Sequence, residues 1–254
     1  MIDLKGKCAL IVGARRVGQV VARRLAQEGV NLAIGYRSSR DEAESLRQEI
    51  APLVERSCVL QGDLSSEADV TRMIDEAHRQ LGGLHFVISL ASDFPYNPLG
   101  KLDGAAWDRS MAGAKGSYLL ALHASRKMRD NPGSTRGHII LFGDTSARET
   151  PYRNYLPYLT SKAAVEYMVR AFAVELARYG ILVNAIAPGP TIRPPEIEPH
   201  EWDEIIEQTT PLKRESSPDD MAEIAVALLR SETITGESVR VDGGNHIAGP
   251  YELA

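Results

Sequence analysis

Tyr158 and Lys162 stand four residues apart in the run Tyr158-Leu159-Thr160-Ser161-Lys162. In a helix this spacing puts both side chains on one face, about one turn apart. An ammonium beside a phenol favours the phenolate and lowers the phenol's pKa toward the range of a useful general acid. Such a tyrosine can hand a proton to a carbonyl oxygen as hydride arrives at the carbon. The pair alone is common in exposed helices, so its meaning depends on the rest of the chain.

A second group of residues suits phosphate. Gly13-Ala14-Arg15-Arg16-Val17-Gly18 follows the apolar run Cys8-Ala9-Leu10-Ile11-Val12 directly. Gly13 permits a tight turn, Gly18 permits close approach at a helix start, and the helix N-terminus favours an anion. In a doubly wound sheet, the turn after the first strand holds a dinucleotide pyrophosphate. The end of the second strand then selects the cofactor. An acidic residue there would bond the ribose hydroxyls and repel a 2′-phosphate. This chain has Tyr36-Arg37-Ser38-Ser39 instead. Arg37 can grip a phosphate and the serines can donate to it, with Arg15 or Arg16 adding charge. The expectation is NADP(H) rather than NAD(H). Asp63, after the third strand, can accept a hydrogen bond from the adenine amino group.

The elements that position these groups read as alternating strands and helices. Strands are expected at Cys8–Val12, Asn31–Tyr36, around Val59-Leu60, and at Leu84–Leu90, Gly137–Phe142, Leu182–Ile186 and Val239–Val241. Helices are expected over 17–28, 40–50, 68–81 and 217–230, with the Tyr/Lys helix ending near Tyr179. Ser65 or Ser66 can cap the third of these, and Ser217-Pro218 is a capped start with proline first. Two further segments, one near Trp107 and one over 115–129, read as separate helices. Pro188, Pro190, Pro194, Pro195 and Pro199 mark an irregular excursion. Buried-length strands between helices argue a parallel sheet covered on both faces. With no linker or repeat, residues 1–254 form a single doubly wound (Rossmann) α/β domain with a seven-stranded parallel sheet, and 187–210 is a candidate substrate lid.

Composition excludes other classes. Hydrophobic residues make up 43% and charged residues 25% of the 254 residues, as in an ordinary globular protein. A formal charge of −5 gives no reason to expect nucleic acid. No apolar run approaches the ~20 residues of a membrane span, and the N-terminal residues lack a signal-peptide pattern. Cys8 and Cys58 lie in apolar runs and read as buried thiols of a reducing, cytoplasmic protein. The histidines show no metal-ligand spacing, so no metal site is expected.

Together these features resemble the short-chain dehydrogenase/reductase family over essentially the whole chain. The resemblance is carried by Gly13 to Gly18, Asp63-Leu64, Tyr158-x-x-x-Lys162, Val183-Asn184-Ala185-Ile186-Ala187-Pro188-Gly189-Pro190, and the closing run from Ile234 to Gly244. Within the family the chain is most similar to the pteridine-reductase branch, through Arg15-Arg16-Val17-Gly18, Tyr36-Arg37-Ser38, Ala91-Ser92-Asp93-Phe94 and Asp144. That resemblance implies NADPH-dependent reduction of a carbonyl or imine, possible on a pteridine. Tyr158 would donate the proton, and Lys162 would also bind the nicotinamide ribose. Phe94 would stack on substrate near Ser92, Arg16 would reach substrate and phosphates, and Asp144 would join proton delivery. Pro188, Gly189, Thr191 and Ile192 would flank the nicotinamide, beside Ala91. A homotetramer or homodimer is the implied assembly.

Several departures bear on this. The phosphate loop is one residue short of the usual family length, and Val12 replaces the common Thr. Ser89-Leu90 replaces Asn-Asn, and Gly113 replaces an active-site Asn that helps position Lys and a relay water. Forward alignment of strand five puts Asp144 at the usual catalytic serine, whereas counting back from Tyr158 puts Thr145 there. We favour Asp144, which would have to be protonated to polarise a substrate oxygen. Two alternatives stand: a generic ketoreductase, such as a 3-oxoacyl-carrier-protein reductase, and a degenerate nucleotide-binding member with little catalysis.

Overall fold

All five residues of β1 (Cys8–Val12) are buried. An apolar run without alternation belongs to a strand covered on both faces. In the computed structural model, which describes residues 1–194 and 197–248, six strands join it. They are β2 (Asn31–Tyr36), β3 (Ser57–Gln61), β4 (Phe86–Ser89), β5 (Gly137–Phe142), β6 (Ile181–Pro188) and β7 (Ser238–Val241). All neighbours pair in parallel, in the order β3-β2-β1-β4-β5-β6-β7. The helices are α1 (Val17–Gln27), α2 (Arg40–Ile50), α3 (Glu67–Leu81), α4 (Gly104–Met128), α5 (Leu156–Ala177), α6 (Pro199–Thr209) and α7 (Pro218–Arg230). The expected single doubly wound α/β domain is what forms.

Alternate residues of each strand feed two cores, because side chains leave a strand on opposite faces. Cys8, Leu10 and Val12 pack with α3, α4 and α5. Ala9 and Ile11 pack with α1, α2 and α7. Helix starts follow the expected capping chemistry. Ser66 Oγ accepts from Asp69 N at 3.3 Å, and Ser217 Oγ accepts from Asp220 N at 3.1 Å, with Pro218 in the first turn of α7.

Two sequence expectations are corrected. The segments near Trp107 and over 115–129 are one continuous helix, α4, of 25 residues. Gly113 and Gly116 blur its apolar period but do not break it, since packing on both neighbours outweighs intrinsic propensity. Gly116 is there because α4 crosses Leu64 closely: a Cβ would sit 2.7 Å from Leu64 Cβ. The proline-rich excursion ends in a helix, α6, rather than staying irregular throughout. Pro199 sits in its first turn, where proline is tolerated, and the Glu201 carboxylate accepts from Glu198 N–H at 3.1 Å. Pro195 and Glu196, in the middle of that excursion, lie outside the described residues.

Connections from β1 and β4 run to opposite sides of the sheet, so a crevice opens beyond their carboxyl ends. The phosphate loop and the segments after β4, β5 and β6 all meet this edge.

Candidate active site

Gly13 turns the chain out of β1 with φ 89°, in the left-handed region. A Cβ there would lie 2.5 Å from Ala91 N, at the end of β4. Gly18 passes so close to the Gly13 carbonyl that a side chain would collide with it. These contacts leave the start of α1 open: no side chain caps it and its first turn carries no acidic residue. The positive end of a helix dipole, left without a side-chain cap or an acidic neighbour, suits a pyrophosphate. Arg16, the N-cap, takes φ 50° and ψ −114°, and Gly18 N donates to Arg15 O at 2.9 Å. This is the first inner position of a type II′ turn, which ordinarily takes glycine. Arg15 lies 3.7 Å from Glu42 of α2, and Val17 is partly buried against the α1 core.

The adjoining strand ends carry the remaining candidates. Tyr36 packs at the end of β2, and Arg37 and Ser38 are exposed beyond it. Asp63 accepts from Ser65 N at 2.9 Å; that bond, together with Ser65's hydroxyl and nearby Arg37, holds its carboxyl below the usual range. Leu64 packs on α4. After β6, which ends at Pro188, Gly189 crosses Asp242 so closely that a Cβ would be 2.7 Å from Asp242 Cβ. Thr191 Oγ1 donates to Gly189 O at 2.8 Å, and Ile192 is exposed.

Helix α5 brings Tyr158 and Lys162 to this edge, both buried. The Tyr158 hydroxyl donates to Asp144 Oδ2 at 2.7 Å. Asp144 Oδ1 accepts from Ser146 N at 2.8 Å, so a turn of its own segment orients the carboxylate. Tyr152 also points its hydroxyl at Asp144 Oδ2, at 3.5 Å. Thr145 lies elsewhere: its buried hydroxyl donates to Asp242 Oδ2 at 2.6 Å. The geometry brings Asp144, not Thr145, to Tyr158. Lys162 Nζ donates to Phe142 O at 2.8 Å and lies 5.8 Å from the centre of the Tyr158 ring.

The titration behaviour corrects one expectation. Lys162 was expected to lower the Tyr158 pKa; instead burial, followed by the charge of Asp144, pushes that phenol well above its ordinary value. Burial likewise raises Asp144, against the hydrogen bonds from Tyr158 and Ser146. Burial pushes Lys162 down to about 8, with Asp144 and Glu166 opposing it. The site therefore holds Tyr158 protonated, which is the state a proton donor needs.

Aromatic rings pack around Tyr158. Phe94 stacks on Tyr155 at 4.3 Å between ring centres and meets the Tyr158 ring edge-on at 4.9 Å. Tyr152 and Tyr96 pack edge-on against Tyr155 at 5.2 and 5.8 Å. The two loops carrying these rings are joined by Asn97 N–H donating to Asn154 O at 2.7 Å. Phe94 keeps 43% of its surface exposed, and Ser92 beside it is exposed too. Behind Lys162, a cavity of about 30 Å³ is lined by Ser92, Arg109, Ser110, Gly113, Ser117 and Lys162. The sequence reading missed Tyr152, Tyr155 and Asp242. The repeat of tyrosine every third residue up to Tyr158 was a usable signal for the first two.

Residues 13–246 match the family model described as enoyl-(acyl carrier protein) reductase. The chain is a short-chain dehydrogenase/reductase. It is 31% identical to the short chain dehydrogenase mdpC of Emericella nidulans, over 95% of this chain and 96% of that one. It is 29% identical to the hydroxynaphthalene reductase-like protein Arp2 of Metarhizium brunneum, over 96% of each. Its fold superposes on the FolM alternative dihydrofolate reductase 1 of Brucella canis, solved with NADP, with TM-score 0.85, 29% identity and 98% of both chains covered. A Burkholderia cenocepacia short chain dehydrogenase, also in complex with NADP, gives TM-score 0.88 at 26% identity, covering 96% of this chain and 99% of that one. As a member of this family the chain is an oxidoreductase that uses a nicotinamide cofactor. Among the described residues no helix is long and apolar enough to cross a membrane.

Proposed function

We propose that this reductase uses NADPH to reduce a C=O or C=N bond in a flat conjugated ring, with a pteridine as the first candidate. The observation that carries the reading is the protonated Tyr158 hydroxyl, 2.7 Å from Asp144, beneath the wall of Phe94, Tyr152 and Tyr155. Phe94, the exposed ring of this cluster, would offer contact to a flat, π-rich ligand. The relationship to an alternative dihydrofolate reductase supports a pteridine. The relationship to hydroxynaphthalene reductase-like proteins supports a second reading, a ketoreductase acting on an aromatic ring ketone.

The residues present fit the cofactor. The open start of α1 and the side-chain-free Gly13 would take the pyrophosphate, and Arg16 would add a guanidinium. Arg37 and Ser38 would take the 2′-phosphate, since no carboxylate ends β2. Two structural relatives hold NADP, which supports the same preference. Bound NADPH supplies the hydride. Tyr158 gives its proton to the substrate heteroatom, and the Lys162 ammonium stabilises the phenolate this leaves. Asp144, whose carboxyl pKa is raised by burial, would donate to that phenolate once it is protonated. Residues 187–210, which include α6, would cover the substrate and exclude water. Two buried unpaired thiols, Cys8 and Cys58, fit a reducing compartment such as the cytoplasm. Exposed Tyr118, Tyr167 and Val174 on α4 and α5 support a homotetramer or homodimer.

The test is NADPH oxidation against a dihydropteridine, an aromatic ring ketone or quinone, and an acyl ketone, with NADH in parallel. Pteridine turnover with NADPH preferred is expected. Turnover of ketones alone would remove the pteridine reading and leave the ketoreductase. Silence with every substrate, NADPH still binding, would overturn both.

A further inference from the structure

Strand β7 and the residue after it send alternate side chains toward the segment that carries Asp144. Ser238 Oγ donates to Glu166 Oε1 at 2.9 Å, and the Glu166 carboxylate lies 3.2 Å from Arg148. Arg240 donates to Glu149 Oε1 at 2.6 Å. Asp242 Oδ2 accepts from Thr145 Oγ1 at 2.6 Å. The stretch 143–149 is thus tied down at three points from one edge strand.

These ties differ in weight. The Arg240–Glu149 pair is exposed, and exposed ion pairs contribute little. The Asp242–Thr145 contact is buried, with both residues at 5% exposure or less. Asp242 is also fixed from other sides. His246 N–H and Nδ1 reach its Oδ2 at 3.1 and 2.7 Å, and Gly244 N–H donates to Oδ1 at 3.0 Å. Burial alone would raise its carboxyl, yet the bonds from Thr145 and His246 hold it below the ordinary range. A charge-assisted bond to a fixed carboxylate is among the stronger constraints available to a hydroxyl.

We propose that Asp242 and Thr145 form a positioning pair for Asp144. The Thr145 hydroxyl, anchored on Asp242, sets the turn in which Ser146 N–H orients the Asp144 carboxylate toward Tyr158. Neither member of the pair touches the reacting atoms; both act through Asp144. The same Asp242 backbone lies against Gly189, so one residue fixes the segment after β5 relative to the loop after β6. The inference rests on the reading of Asp144 and Tyr158 as the proton-delivering pair.

The test removes only the hydroxyl, with Thr145→Val, and restores it with Thr145→Ser. One readout needs no substrate: the infrared carboxyl band of Asp144, assigned by its loss in Asp144→Asn, followed against pH in the full chain. Thr145→Val is expected to move its midpoint by about half a pH unit or more. It is also expected to lower kcat about tenfold with both KM values near wild type, and to displace the pH profile of kcat. Thr145→Ser should return all three. A Thr145→Val protein with the wild-type midpoint, kcat and pH profile would overturn the proposal even if it melts earlier, because a purely structural role moves only the melting. If Thr145→Val does not fold, Asp242→Asn, which keeps the shape and weakens the bond, carries the same readouts. A wild-type enzyme silent on every substrate would remove the functional reading, while the infrared arm still decides the pairing.

Discussion

Arg16 occupies a backbone position that its side chain does not favour. A non-glycine residue at φ 50° and ψ −114° costs on the order of 1–3 kcal/mol. The proposed role of Arg16 at a pyrophosphate would account for an arginine at this backbone position. Arg16→Gly should therefore stabilise the fold by about 1 kcal/mol and weaken NADPH binding several-fold. Thermal melts and a fluorescence titration with NADPH check the two halves; tighter or unchanged cofactor binding would remove Arg16 from the site. That Tyr158 and Lys162 share one helix was legible because their spacing carries it, whereas Asp144 was suggested by the family resemblance and competed with Thr145 until the structure placed its carboxylate beside Tyr158. The direction of the Tyr158 shift was not legible, because it is set by burial and then by the Asp144 charge, which only the fold reveals. Asp242 was hidden for a related reason: its partner Thr145 is 97 positions away.

Among the elements, four were read to the residue, whereas β4 was expected over 84–90 but spans Phe86–Ser89, and β6 over 182–186 but spans Ile181–Pro188. β1, β2, α2 and β5 have the bounds their sequence suggests. Alternation with helices and the glycine stop after β1 fixed the sheet's character. Where glycine or proline intrudes, the reading failed: α4 was split at its glycines, and α6 was lost behind prolines that its capping geometry accommodates. Gly113 illustrates what such a residue does within an element. A Cβ there meets nothing within 4 Å, and its φ lies outside the left-handed region. Gly113→Ala should stabilise α4 by about 0.4–1 kcal/mol, through helix propensity and a less free unfolded chain. Denaturant unfolding measures this directly. An equal or lower stability would mean that the space beside Lys162 is more tightly packed than its geometry shows.

At the scale of the whole molecule, the candidate site residues gather at the carboxyl ends of the strands, while a titrating core lies toward the other end. His138 and Phe86 face each other across β4 and β5, their rings 5.8 Å apart. Burial pushes His138 down to about 4 from 6.5, and neither ring nitrogen has a hydrogen-bond partner among the described residues. The folded chain keeps this imidazole neutral where the unfolded chain would protonate it. Its contribution is thus complete above pH 6.5 and is lost as pH falls from 6.5 toward 4. His138→Leu should remove roughly 2–3 kcal/mol of that acid-induced loss, seen as a flatter dependence of unfolding free energy on pH. An unchanged slope would place the acid sensitivity elsewhere, His85 being the next candidate because burial lowers it to about 4 as well.

The central claim is that Tyr158 delivers the proton in an NADPH-dependent reduction. The most direct measurement compares wild-type protein and Tyr158→Phe for substrate-dependent NADPH oxidation, with NADPH affinity determined on the same samples. The account predicts a loss of turnover of roughly 10²–10⁴-fold with cofactor affinity nearly intact. Turnover retained in Tyr158→Phe would contradict it.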